Sequence, residues 1–164
     1  GLEGTSIIAK EKETELLTRF PSHMIETAKG FDRYLSIVPE AATAGKSGVS
    51  AMHDVTEGGI FGALWELAES SGVGLEIDWK RIPVRQETIE ICEFFEINPY
   101  ELISSGSLLM VTDDGFGLVR ELEAIRIPAA VIGKVREGND RVVISGEERR
   151  FLGPPKADEL YRVI

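Results

Sequence analysis

Met52-His53-Asp54-Val55-Thr56-Glu57-Gly58-Gly59-Ile60 joins two kinds of pattern. Before it, 49–55 is short and partly apolar, as a strand is. After it, 57–71 carries the best helical periodicity of the chain. Ile60, Leu64, Leu67 and Ser71 form one line, Phe61, Trp65 and Ala68 the next, and Glu66, Glu69 and Ser70 turn to water. Gly72 stands where such a helix should stop. A helix start leaves N–H groups unpaired and carries partial positive charge. Gly58 and Gly59 remove side chains there, either to let a phosphate or carboxylate approach the backbone or to let the helix pack on the sheet. Asp54 or Thr56 can cap the helix, and Asp54 with Glu57 has capping-box spacing. His53 beside Asp54 reads either as structural or as a polar pair facing a ligand.

Outward from this junction the pattern alternates. Downstream, 73–77 reads as a half-buried strand and 85–96 as an amphipathic helix whose stripe of Glu87, Glu90 and Glu93 is a solvated face. Asn98-Pro99 opens a turn and a short helical piece to Ile103. The apolar run 107–111 reads as a central strand covered on both faces. A helix over 115–125 and a strand over 129–135 come next. Glu137-Gly138-Asn139-Asp140 then reads as a hairpin turn into strand 141–144, with a last short strand within 146–152. Upstream, 1–9 reads as a loop, 10–20 as helix, Ser22 as the cap of a second helix to Lys29, and 32–44 as a third helix interrupted near Pro39. The expected fold is α+β: one mixed sheet covered by helices, around a single core, over 1–164.

Composition narrows the function classes. The chain of 164 residues is 43% hydrophobic and 28% charged, which is globular. A formal net charge of -10 speaks against a nucleic-acid surface. No apolar run approaches the ~20 residues of a membrane span, so no membrane partner is expected. The single cysteine, Cys92, excludes an internal disulfide and reads as a core residue; a cytoplasmic setting is the simplest expectation. No phosphate-binding loop is present: Gly45-Lys46-Ser47 has Glu40 where the first glycine should stand. Carboxylates do not cluster as a Mg-phosphate site would need, and no metal ligands are assigned.

His53-Asp54-Val55-Thr56-Glu57-Gly58-Gly59 followed by an apolar helix resembles the signature of the C-terminal domains of the aminoimidazole ribonucleotide (AIR) synthetase superfamily. That superfamily includes selenophosphate synthetase, thiamine-monophosphate kinase and the hydrogenase-maturation protein HypE. Gly4-Thr5-Ser6-Ile7-Ile8-Ala9 resembles the entry into that domain. Gly72 to Ile77, Ile82-Pro83-Val84-Arg85, Asn98-Pro99-Tyr100 and Ser104-Ser105-Gly106-Ser107 resemble the later stretches of the same domain, in order. The most similar branch is the AIR synthase-related one.

The resemblance implies a substrate-side domain that helps close an active site for phosphoryl-transfer activation of a small substrate. Mg-ATP would be held by the protein's own N-terminal domain, in a homodimer, and no cofactor by this chain. It assigns catalysis to His53 and Asp54, and substrate or anion binding to Thr56, Glu57, Gly58, Gly59, Ser104, Ser105 and Gly106. Four departures separate the chain from the hydrogenase-maturation branch, which the resemblance otherwise keeps in view. Val55 stands for a proline, Glu57 for an arginine and Ser105 for an acidic residue. The chain also closes on Leu160-Tyr161-Arg162-Val163-Ile164, without the cysteine that carries the carbamoyl group in that branch. The competing expectation is a non-catalytic metabolite-binding or dimerisation module.

Overall fold

The computed structural model describes residues 1–164. Helices α1 (Leu2–Glu11), α2 (Glu13–Leu16), α3 (Ser22–Lys29) and α4 (Val38–Ala44) come first. Strand β1 (Ala51–Val55), helix α5 (Gly59–Ser71), strand β2 (Gly74–Asp78), helix α6 (Gln86–Phe94), strand β3 (Ser107–Val111) and helix α7 (Gly115–Ala124) alternate through the middle. Strands β4 (Gly133–Arg136), β5 (Arg141–Ser145) and β6 (Glu148–Phe151) close the order, followed by a 3-10 turn at Glu159–Arg162. The class is α+β, as expected. The mixed sheet has the order β4-β2-β5-β6, with β2 parallel to β5 and antiparallel to β4. β1 and β3 form a separate antiparallel ladder, with His53 opposite Leu109.

Helix α5 joins these sheets. Its buried Ala63, Leu64, Leu67 and Ala68 pack with Val55 and Leu109 of one sheet and Leu75, Ile77 and Val143 of the other. Each of the leucine, isoleucine and valine side chains contributes about 1.5–3 kcal/mol on burial, and each alanine less. The end of the helix is where the periodicity put it: Gly72 adopts φ 64° and its N–H returns to the last turn. Ser71, placed on the inner line from the sequence, is exposed.

Instead of one core there are three clusters of buried apolar side chains. A second gathers Ile8, Leu16, Ile25, Ile91, Cys92 and Leu102 from α1, α2, α3, α6 and the segment before β3. A small third sets α4 and α7 against Met110 on the outer face of the ladder.

Several local expectations change. The stretch read as an entry loop is α1, because its polar groups are satisfied internally. Thr5 bonds the Gly1 carbonyl and the Thr88 hydroxyl, and the Ser6 hydroxyl donates to the Lys29 carbonyl. Ser22 is the first helical residue and makes no capping bond; Pro21 holds the cap position. The expected helix over 32–44 begins as a 3-10 turn at Gly30–Tyr34 and restarts at Val38, with Pro39 in the first turn where a missing N–H is harmless. The piece after Asn98 is a turn closed by the Asn98 side chain on Tyr100 N–H, not a helix.

β3 pairs with β1 alone and is not central; Leu108 and Met110 are only half-buried. The expected hairpin at 137–140 is also overturned, since β2 lies between β4 and β5. The connection instead crosses the start of β2: Leu75 N–H donates to the Asp140 carbonyl, and a Cβ on Gly74 would stand 2.8 Å from that oxygen. The real hairpin is β5–β6, turning on Gly146 with φ 63°.

Two glycines with similar backbone angles separate strain from packing. Gly48 has φ +70° with nothing near a Cβ, whereas at Gly59, φ +61°, a Cβ would meet the Tyr100 and Leu102 carbonyl oxygens at 2.6 and 2.8 Å. Gly48→Ala should therefore cost about 1 kcal/mol, from the left-handed backbone alone. Gly59→Ala should cost about 3 kcal/mol or more, because backbone must also move. Urea unfolding of the two variants measures both; equal losses would show that the close approach carries no energy.

Candidate functional site

The predicted site residues lie on two neighbouring loops. One is the β1–α5 junction, with Thr56, Glu57, Gly58 and Gly59; the other is Ser104-Ser105-Gly106 before β3. They are tied by Ser104 N–H donating to the Thr56 carbonyl, 3.3 Å. β1 and β3 run antiparallel with Val55 opposite Ser107, so both loops leave the same end of the ladder.

The start of α5 is not capped by Asp54 or Thr56. Gly58 is left-handed, φ 81°, and its N–H donates to Asp158 Oδ2 at 2.7 Å. Asp158 Oδ1 accepts from Ile103 N–H at 3.1 Å and Leu160 N–H at 2.9 Å, and the residue is 2% exposed. The anion at this helix end is thus the chain's own carboxylate. Gly59 N–H returns to Thr56 O, and Phe61 N–H is taken by Tyr100 O. Gly59 makes room for the Tyr100–Leu102 backbone, whereas a Cβ on Gly58 or Gly62 would stand in ordinary contact with Pro155, at 3.7 Å. On these two loops and in the first turn of α5, the amides without a partner in the chain are those of Thr56, Glu57, Ile60, Ser105 and Gly106.

The remaining residues divide by strand geometry. Alternation along β1 puts His53 and Asp54 on opposite faces. His53 is half-buried against α5, with Nδ1 2.6 Å from the Asp54 carbonyl oxygen and Nε2 3.2 Å from Glu66 Oε2. Its carboxylate partner is therefore Glu66, not Asp54. The Asp54 side chain is exposed, makes no ion pair, and stands across from Leu108. Glu57 accepts the Tyr161 hydroxyl, 3.3 Å, and the Glu57 charge raises the Tyr161 pKa. Ser104 is buried and shares its hydroxyl with Gly1 and Ser107, which removes it from any open site. Gly106, φ 95°, lies against the Tyr34 carbonyl, leaving no space for a Cβ. No three His, Cys, Asp or Glu side chains come together closely enough to hold a metal ion.

Sequence reasoning missed the partners that come from far along the chain. Asp158 and Tyr161 lie about a hundred residues from Gly58 and Glu57, which they meet. It also missed a cleft of about 180 Å³ beside Gly58 and Gly62, walled by Phe61, Trp79 and the returning chain from Arg150 to Ala157. Only the Glu66 contact had a local signal, since a strand running straight into a helix brings that helix back across it.

Two consequences are measurable. Removing the Asp158 carboxylate leaves buried amides unpaired, so Asp158→Ala should lower unfolding free energy by about 3 kcal/mol or more and Asp158→Asn by less. A loss under about 1 kcal/mol in urea would contradict this. Cys92 is 1% exposed, and burial pushes its thiol from 9.0 up to about 12. The native chain should therefore resist alkylation at pH 8 and react fully in denaturant. Because the folded pKa is the higher one, this group's stabilisation is complete below pH 9 and is lost as pH rises towards 12.

Comparison with known proteins agrees with this architecture. The sequence model of the family described as AIR synthase related protein, C-terminal domain, matches residues 1–145. Carbamoyl dehydratase HypE of Rhizobium leguminosarum bv. viciae is 29% identical over 111 residues, which are 68% of this chain and 30% of that protein. The crystal structure of E. coli HypE, a hydrogenase maturation protein, superposes with a TM-score of 0.68 at 26% identity, over 78% of this chain and 42% of that one. A HypE structure in complex with ATP has a TM-score of 0.60 at 22% identity, over 71% and 38%, and shares the fold. The chain thus spans less than half the length of these relatives. No helix is long and apolar enough to cross a membrane. With its signature loop, its α+β order and a family match from Gly1 to Ser145, the chain belongs to the AIR synthase-related C-terminal domain family.

Proposed function

We propose that this chain is the substrate-side domain of an ATP-dependent enzyme, closing an active site in which a small substrate is activated by phosphoryl transfer. The carrying observation is the pairing of two loops by the Ser104–Thr56 bond, with the amides of Thr56, Glu57, Ser105 and Gly106 unused by the fold. Unused amides on adjoining loops are what an oxyanion needs from a surface whose net charge is negative. Asp54, exposed at the same end of the ladder, is the free carboxylate in reach of that region. His53 is better suited to holding β1 on α5 through Glu66. Mg-ATP would be bound by an N-terminal domain of the same protein, in a dimer in the cytoplasm. The similarity to HypE makes hydrogenase maturation the pathway to test first, and the ATP held by one HypE structure supports the nucleotide.

The 164-residue chain alone should not turn over Mg-ATP above a mock preparation, since it has neither a phosphate-binding loop nor a carboxylate cluster for the metal. In the full-length protein ATP turnover should appear. There Asp54→Asn should lower kcat by about 10²-fold while leaving Tm unchanged, as loss of a proton-transferring group does. Turnover by the isolated chain would overturn the division of labour. Unchanged kcat in Asp54→Asn would remove that residue from the chemistry, and a full-length protein without any turnover would favour the metabolite-binding or dimerisation module.

A further inference from the structure

The cleft beside Gly58 and Gly62 has a chemistry of its own. One wall is aromatic: Phe61 and Trp79 both line it. Each is fixed by Tyr100, which stacks on Phe61 at 5.1 Å and 13° and on Trp79 at 5.9 Å and 21°. Rings held by stacking keep their place when a ligand arrives, so little ordering cost falls on binding. The lining also carries Arg150 and Lys156, both exposed and neither in an ion pair, while Arg141 and Arg162 are each bound to a glutamate. Glu101 is the one acidic residue of the lining. Two free cations around an aromatic slot are unusual in a chain of net charge -10.

Size limits what can enter. At about 180 Å³ the cleft is smaller than the roughly 300–1,000 Å³ of sites that swallow a whole drug-sized molecule. It can take one flat ring beside the Phe61–Tyr100–Trp79 stack, with an acidic substituent directed to Arg150 and Lys156. The two cations and the prolines come from 150–157, beyond the residues that the family model matches.

We propose that this cleft binds a flat aromatic anion, its ring against Phe61 and Trp79 and its phosphate or carboxylate on Arg150 and Lys156. The inference rests on the proposed enzymatic function only for the role of such a ligand. Binding itself is measured on the 164-residue chain without ATP, so the two can fail separately.

Trp65 and Trp79 are the only tryptophans, so the ¹⁵N-labelled chain gives two indole N–H signals, and Trp79→Phe identifies the second. The probes are adenosine 5′-monophosphate for a phosphate, nicotinate for a carboxylate, and adenosine and inorganic phosphate as the ring and the anion alone. The expected result is a saturable shift of the Trp79 signal with at least one aromatic anion, at least ten-fold tighter than with adenosine or phosphate. Whichever of the two binds tighter names the acidic group. Arg150→Gln with Lys156→Gln should weaken that binding at least ten-fold, with adenosine unaffected and Tm unchanged. Arg120→Gln, on the exposed side of α7, should change nothing. No shift with either aromatic anion, equal binding of adenosine, or an unaltered Kd in the double variant would each overturn the proposal.

Discussion

The buried carboxylate of Asp158 is the contact on which the candidate site depends. It takes amides from the first residue of the α5 cap, from the segment before β3 and from its own turn. Charge-assisted bonds of this kind are about twice as strong as neutral ones, and inside the fold no water competes for them. Because the three donors come from stretches far apart in sequence, one carboxylate sets the distance between the signature loop and the Ser104 loop. The chain's C-terminal turn is thereby part of the site's frame. Leu160, two residues beyond Asp158, is buried in the helical cluster and anchors it from the other side.

That arrangement changes the meaning of the signature glycines. Two glycines at a helix start are compatible with a bound anion, and the geometry does put a carboxylate there, but an internal one. Gly59 is required because the backbone at Tyr100 and Leu102 passes within contact distance. Gly58 is required because the chain must turn through φ 81° to present its N–H to Asp158. The amides that remain for an external ligand are those of Thr56, Glu57, Ser105 and Gly106 beside the Ser104–Thr56 bond, and that of Ile60 in the first turn of α5. A helix dipole already compensated by an internal charge has little left to offer a second anion.

Much of the architecture was legible from the chain. α5, its glycine stop and the alternating β2 come from periodicity, because one buried face repeats every 3.6 or every 2 residues whatever surrounds it. The strand at 107–111 was equally clear, but its neighbours were not: an apolar run records burial and says nothing of how many strands lie beside it. The turn at 137–140 had hairpin composition, yet β2 takes the place between β4 and β5. Turn chemistry is local, whereas pairing partners are chosen by the whole sheet. α1 was hidden for a related reason, since Thr5 and Ser6 read as loop residues until Thr88 and the Lys29 carbonyl are there to bond them.

The sequence by itself determined which residues could matter: a His-Asp-Val-Thr-Glu-Gly-Gly junction between strand and helix, a second Ser-Ser-Gly loop, and a net charge that speaks against a nucleic-acid surface. Tertiary structure alone decided how those residues divide. His53 went to Glu66 and Asp54 to the surface, because neighbours on a strand point apart. Ser104 was buried while Ser105 kept a free amide. Residues about a hundred positions away, Asp158 and Tyr161, were brought onto Gly58 and Glu57. Local sequence sets backbone preference and side-chain type, which act over a few residues. The partner of a buried amide is set by the packing of the whole chain, and no window of sequence contains it.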